Sequence, residues 1–337
     1  MSIQDRKKEH ILNSLKPESQ FSDNWFNYVF LFHNSLPDID YYKIDTKTKL
    51  FERYFDYPIY ISGMTGGFKD AKDINLGLAK IAYENNIPMG IGSIRAIFKS
   101  ESLIETYDVK KYYDVFLIAN LGGVQLKEYK NKEILDVVYK LQADALAIHL
   151  NPAQELIQRE GDLNWEGVYD RIIEIADEFP TIVKEVGNGI SKEIAQKFKS
   201  TKVKYIDISG TGGTSWTKIE YLRNSDAPKG FEEWGIPTPL ALLMVKDFDN
   251  ILASGGIRSG IDGAKALVLG ARAFGMAKPF LDSVIGKKDI FPEIAKQLKG
   301  TMFLLGARNI EELRKKPYAL FGPLRELYSF IISSNVI

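Results

Sequence analysis

The 337-residue chain contains no cysteine, which removes disulfides, thiolate metal sites, iron–sulfur clusters and cysteine nucleophiles from consideration. It has no net charge either, since Lys+Arg and Asp+Glu both number 44. No global field therefore draws it to nucleic acid or to an anionic membrane surface, and any anionic ligand has to be held by local groups. Long apolar runs are missing: no stretch approaches a membrane span, and the charged opening segment Asp5-Arg6-Lys7-Lys8-Glu9-His10 lacks the apolar core of a signal peptide. These absences lead to the expectation of a soluble, cytoplasmic protein with no nucleic-acid or membrane partner. Neither an internal repeat nor a low-complexity linker divides the chain, so one domain over residues 1–337 is expected.

What is present is an alternation. Apolar, β-branched segments recur at Tyr57–Met64, Pro88–Ser93, Val115–Leu121, Ala145–Leu150, Thr181–Gly187, Tyr205–Gly210, Ile251–Gly256 and Ala273–Pro279, each reading as a buried parallel strand. Between them, Asp73–Asn85, Lys132–Leu141, Trp165–Glu178, Ser191–Ser200 and Gly260–Leu269 carry apolar residues at the three- and four-residue spacing of covering helices. Eight such alternations predict an α/β fold, a single (β/α)8 TIM barrel, with an N-terminal extension over residues 1–50 and an insertion after strand 6 at roughly Thr214 to Met244. Phe21, Trp25, Phe26, Tyr28, Phe30 and Phe32 make the extension aromatic, which suits packing against the barrel or a neighbouring subunit.

In such a barrel the site lies at the C-terminal ends of the strands, and the polar and glycine residues collect there. Ser254-Gly255-Gly256-Ile257-Arg258 after strand 7 and Gly275-Met276-Ala277-Lys278 after strand 8 suit a phosphate, because bare backbone approaches phosphate oxygens closely and a following helix N-terminus adds favourable potential; glycines that merely make turns are the plainer alternative. Lys184, within an apolar strand, either points into the barrel and needs an anionic partner or snorkels outward between helices. His149, Asn151, Gln154 and Glu155 crowd the end of strand 4. Glu155 suits a hard cation such as Mg2+ whose shell a diphosphate completes, or else it is a solvated charge at a helix start. Arg6 and Lys7, with His10 three residues on, and Arg95 after strand 2 offer charge-assisted contacts to phosphate oxygens.

The motifs Arg6-Lys7-x-x-His10, Met64-Thr65-Gly66-Gly67, Gly92-Ser93-x-Arg95, His149-x-Asn151-x-x-Gln154-Glu155, Ser209-Gly210-Thr211-Gly212-Gly213-Thr214-Ser215-Trp216 and Trp234-Gly235-Ile236-Pro237-Thr238 together resemble the type 2, FMN-dependent isopentenyl diphosphate isomerases, from residue 6 to about residue 310. The resemblance implies conversion of isopentenyl diphosphate to dimethylallyl diphosphate by an allylic proton shift in isoprenoid biosynthesis. It further implies reduced FMN as the acid–base group through N5, Mg2+ on the diphosphate, and NADPH or another reductant to reduce the flavin. It assigns FMN to Gly63, Met64, Thr65, Ser93, Asn120, Lys184, Ser209, Thr214, Gly256, Ile257, Arg258, Ala277 and Lys278. Substrate falls to Arg6, Lys7, His10, Ser93, Arg95 and Gln154, metal to Glu155, and the catalytic neighbourhood to Gln154, Glu220, His149, Asn151 and Trp216, with Trp216 and Glu220 walling the pocket. Ile94 departs from the glutamine that family members often carry there. A homotetramer or larger homo-oligomer is also implied. The nearest rival, an FMN-dependent 2-hydroxy-acid oxidase, needs a histidine base and a carboxylate-binding arginine where this chain has Thr211 and Thr214. A catalytically silent phosphate-binding barrel is the other alternative.

Overall fold

The computed structural model describes residues 3–224 and 226–334. Residues 1–2 and 335–337, the ends of the expected domain, lie outside the described residues, as does 225 in the expected insertion. Eight strands pair in parallel into a closed barrel: β1 (Ile59–Ile61), β2 (Met89–Gly90), β3 (Leu117–Gly122), β4 (Ala145–Leu150), β5 (Thr181–Glu185), β6 (Tyr205–Asp207), β7 (Ile251–Ala253) and β8 (Ala273–Met276). The sheet closes where Met276 of β8 pairs with Ile61 of β1. This is the barrel the alternation predicts.

Several strands are shorter than the apolar runs that announce them. The run Tyr57–Met64 yields only Ile59–Ile61, and Tyr205–Gly210 only Tyr205–Asp207. Past those points the backbone leaves the ladder: Ser209 turns to φ 39, and Gly66 and Gly67 follow at φ 147 and 83. The helices also need one adjustment. The pattern starting at Trp165 becomes helical only at Val168, because Gly167 turns the chain with φ 76. The others run at Ala71–Glu84, Asn131–Lys140, Lys192–Phe198 and Gly260–Val268, close to where the spacing places them. Helix 71–84 buries Leu78, Ala79, Ile81 and Ala82 against the sheet.

At the N-terminal end of the strands a hairpin, Thr48–Leu50 with Arg53–Phe55, plugs the barrel. Leu50 and Phe55 pack with Phe116, Ile118, Ile182, Tyr205 and Leu252, and Phe55 meets the Phe116 ring edge-on at 5.5 Å. At the other end, residues 14–24 cross the barrel mouth. Phe21 N–H donates to Gly213 O at 2.8 Å, and Ser215 N–H to Ser19 O at 2.7 Å. Phe21 and Phe26 of the aromatic stretch are buried, while Phe30 and Phe32 are exposed. The extension also contributes a strand, Val29–Leu31, that pairs antiparallel with Tyr318–Leu320, tying it to the segment that precedes the last described helix, Gly322–Ser333. The insertion contributes helices Trp216–Tyr221 and Thr238–Met244. No described helix is long and apolar enough to cross a membrane.

The plug generates a stability expectation. Phe55→Ala empties a fully packed site and should lower the unfolding free energy by about 3–5 kcal/mol. Urea denaturation measures it, and a midpoint equal to that of the wild type would show that the hairpin does not support the barrel.

Candidate active site

The eight strand ends open into one cavity of about 650 Å3. Every residue assigned above to flavin, substrate, metal or catalysis lines it except Glu220. Glu220 is fully buried one layer behind the wall that was expected to include it. Its Oε1 accepts from Gln154 Nε2 at 2.9 Å and from His10 Nε2 at 2.8 Å. Helix 216–221 turns Trp216 toward the cavity and Glu220, four residues on, toward helix 152–157. His10 stands edge-on to Trp216 with ring centroids 5.3 Å apart.

The β7 and β8 ends form a narrow cradle. Gly255 and Gly256 adopt φ 91 and 76, and a Cβ on them would stand 2.1 Å from Gly210 O and 2.6 Å from Gly212 C respectively. Only glycine fits both the conformation and the space. Arg258 Nη2 donates to Gly212 O at 2.7 Å, and its N–H to Asp262 Oδ2 at 3.1 Å. Opposite, helix 278–286 begins at Lys278 with no side chain capping its first turn, so its N-terminus faces the cavity with amide donors available for an anion. Lys278 is held by Asp282 at 2.9 Å.

The β1 and β2 ends supply Gly63, Met64, Thr65 and Ser93. Their loop is fixed by buried Asn75, which donates to Thr65 O at 3.2 Å and Thr106 O at 2.7 Å. The Thr65 hydroxyl is buried without a protein partner, as expected of a group reserved for a ligand. Ile94 is buried and contributes its backbone, donating to Asn120 O at 2.8 Å. Lys7 lines the cavity with its ammonium held by the protein itself. Its ammonium donates to Gly66 O at 2.9 Å, Ser93 O at 2.6 Å and Tyr107 Oη at 2.8 Å. That uses the three donors of a lysine, and burial, with Arg6 and Arg95 nearby, pulls its pKa down to about 7. Arg6 lies 3.9 Å from Glu160, and Arg95 Nη2 lies 2.8 Å from Glu128. Arg95 Nε is buried and unpartnered.

On the β4 side, Asn151 Nδ2 donates to Gln154 Oε1 at 3.2 Å and to Glu155 Oε1 at 2.9 Å, and Glu155 Oε2 accepts from Asp162 N–H at 2.9 Å. The Asn151 carbonyl oxygen and the Gln125 amide nitrogen are buried without protein partners, and both residues line the cavity. Lys184 points inward, resolving its two alternatives, and donates to Glu185 O at 2.6 Å. His149 is held through Nδ1 by Asn120 Oδ1 at 2.8 Å. Burial first, then Lys184 and Lys7, drive its pKa down to about 3, so it stands neutral.

Glu185, Tyr107, Gln158 and Arg223 escape the sequence reading. Gln158 sits one helical turn after Gln154, a spacing visible in the sequence. Glu185 accepts the N–H groups of Val186 at 2.6 Å, Gly187 at 2.7 Å and Gly189 at 3.2 Å, and that of Asn188. It follows Lys184 and precedes a glycine turn, a local signal for a carboxylate folded back on its own backbone.

The FMN-dependent dehydrogenase family model matches residues 20–319. The isopentenyl-diphosphate delta-isomerase of Pyrococcus abyssi is 44% identical over 95% of this chain and 93% of its own length. That of Rickettsia bellii strain RML369-C is 41% identical over 92% and 96%. Among solved structures, a mandelate oxidase variant carrying a monooxide FMN adduct superposes with TM-score 0.62 at 16% identity over 93% of this chain and 92% of the other. Another, with (S)-mandelic acid, gives 0.64 at 15% over 93% and 94%. At those identities the oxidases share the fold alone.

His149 should titrate far below its ordinary value of 6.5. The unfolded chain then binds the proton that the folded chain refuses, so this residue's contribution to stability is complete above about pH 6.5 and is lost as pH falls toward 3. Imidazole 15N shifts between pH 5 and 8 should report one neutral tautomer, protonated at Nδ1. A midpoint near 6.5 would mean that water reaches the ring.

Proposed function

The chain belongs to the type 2, FMN-dependent isopentenyl-diphosphate delta-isomerase family, and on that premise we propose that this cavity interconverts isopentenyl and dimethylallyl diphosphate by a redox-neutral allylic proton shift. One proton is added to the terminal alkene carbon and another is lost from C2. The observation that carries the proposal is the convergence on one cavity of a glycine cradle at β7 and β8 with the amide and carboxylate groups of β4 and the basic groups of the N-terminal helix.

The residues fit FMN. The orphaned Thr65 hydroxyl, the bare backbone of Gly255 and Gly256 and the uncapped start of helix 278–286 suit a flavin and its phosphate. In this reading Gly63, Met64, Thr65, Ser93, Asn120, Lys184, Ser209, Thr214, Gly256, Ile257, Arg258, Ala277 and Lys278 hold the cofactor. When bound and reduced, by NADPH or another reductant, FMN supplies an electron-rich surface and an acid–base group.

The chain's own groups do the rest. Arg6, Arg95 and Ser93 orient the diphosphate, while neutral His149, its Nδ1–H held by Asn120 Oδ1, lies beside it with Nε2 as an acceptor for water bound to the diphosphate or its metal. Lys7 acts mainly by fixing the Gly66 and Ser93 carbonyls that shape the floor. Glu155 is a single buried carboxylate, and no group of three or more His, Asp or Glu forms a metal cage among the described residues. It fits Mg2+ in a shell completed by substrate oxygens. Gln154 faces the alkene, and Asn151 and Glu220 fix its amide. Trp216 and His10 close the pocket against water. The exposed Phe30, Phe32, Phe321 and Phe330 suit assembly into a homotetramer or larger.

The direct test is anaerobic incubation with isopentenyl diphosphate, Mg2+ and NADPH or dithionite in D2O. Deuterated dimethylallyl diphosphate is expected with reduced flavin alone; its absence in a flavin-loaded, reduced preparation would sink the assignment. Gln154→Ala should lower kcat by about 100-fold or more while leaving FMN affinity intact. Glu155→Gln should raise the Mg2+ concentration needed for half-maximal rate, and an unchanged metal dependence would take Glu155 out of the metal role.

A further inference from the structure

Arg223 lies just beyond helix 216–221, with its side chain 9% exposed. Its guanidinium serves three carboxylates from three segments. Nε donates to Glu9 Oε2 at 3.0 Å on the N-terminal helix, Nη1 donates to Glu220 Oε2, and Nη2 lies 3.7 Å from Glu160 Oε1 past helix 152–157. A lysine's single ammonium cannot span that arrangement; the planar fork of arginine can.

The consequence runs through Glu220, whose side chain is 0% exposed. One of its oxygens faces Arg223, and the other is shared by His10 and Gln154. A carboxylate can only accept hydrogen bonds, so Gln154 must turn its NH2 toward Glu220 and its carbonyl oxygen the other way, where Asn151 Nδ2 donates to it at 3.2 Å. If Glu220 were protonated, either face of the amide would suit it.

We propose that Arg223 is a positioning residue for the isomerisation: by clamping one oxygen of Glu220 it leaves the other to fix the orientation of Gln154 and His10 at the cavity wall. This rests on the proposed function, with Gln154, facing the alkene, taken to lie in the proton path. The charges around the pair agree with it. Burial raises the Glu220 pKa, but His10, Gln154 and Arg223 outweigh it and hold the group below its usual range. His10 faces Glu220 from the N-terminal helix and Gln154 from helix 152–157, while Glu9, Glu160 and the charge of Arg6 surround Arg223. Removing Arg223 leaves a buried carboxylate short of a cation, and such a group takes up a proton at higher pH.

The test measures kcat and KM from pH 5 to 9 on flavin-loaded wild type, Arg223→Met and Arg223→Lys, with retained flavin absorbance as the check on folding. In the methionine variant kcat should fall at least about 10-fold near pH 6, and the acid limb should move up by about 1 unit or more, the size expected when one close cation is lost. The lysine variant should fall between. Should Arg223→Met lose its flavin, Arg223→Gln carries the same test. An acid limb that stays at the wild-type position, whether activity is unchanged or uniformly reduced, overturns the proposal and leaves Arg223 as a pin for the N-terminal helix. Gln154→Ala run alongside separates the two ideas. An unaffected kcat there removes the proton-path reading itself, whereas a large loss there with an unmoved limb in the Arg223 variants removes only the role of Arg223.

Discussion

A closed parallel barrel ends all its strands at one rim, and each backbone group that leaves the ladder there, where water is excluded, needs a new partner. Most of the site is built from answers to that demand. Asn75 serves the carbonyls of Thr65 and Thr106, Glu185 collects the amides of residues 186–189, and Thr238 donates to Gly255 O at 2.7 Å. Arg258 serves Gly212 O, and Lys7 serves Gly66 O and Ser93 O. With the rim saturated by side chains, the groups left unpaired around the cavity, such as Thr65 Oγ1, Asn151 Oδ1 and Gln125 Nε2, stand out as places for a ligand.

That view explains what was legible beforehand. Strand order and helix faces follow from apolar periodicity, which is local, so the barrel is readable from the chain. The cavity-lining set is readable too, because residues at strand ends are committed to the rim by the fold itself. Strand lengths are less so. Nothing in Tyr205–Gly210 says that pairing stops at Asp207, since the stop depends on the left-handed turn at Ser209 and on contacts with the distant Ile236.

Side-chain direction is the least legible property. Lys7 and Arg6 look equivalent in sequence, yet Tyr107, a hundred residues away, turns one lysine into a structural clamp. Glu220 reads as wall and sits behind it, because the side chains of Gln154 and His10, which line the cavity, are bonded over its carboxylate. Arg223 has no motif at all. Its importance appears only when Glu9, Glu160 and Glu220 are brought to a single point.

The antiparallel ribbon of Val29–Leu31 with Tyr318–Leu320 has a bearing on affinity. It anchors the extension beside the barrel, so the helix carrying Arg6, Lys7 and His10 is in effect a ligand on a short leash. A tether of fewer than about twenty residues keeps such a group at a local concentration on the order of millimolar. The basic residues therefore meet the mouth of their own barrel at the same rate however dilute the protein becomes, and their docking is an internal equilibrium set by chain length.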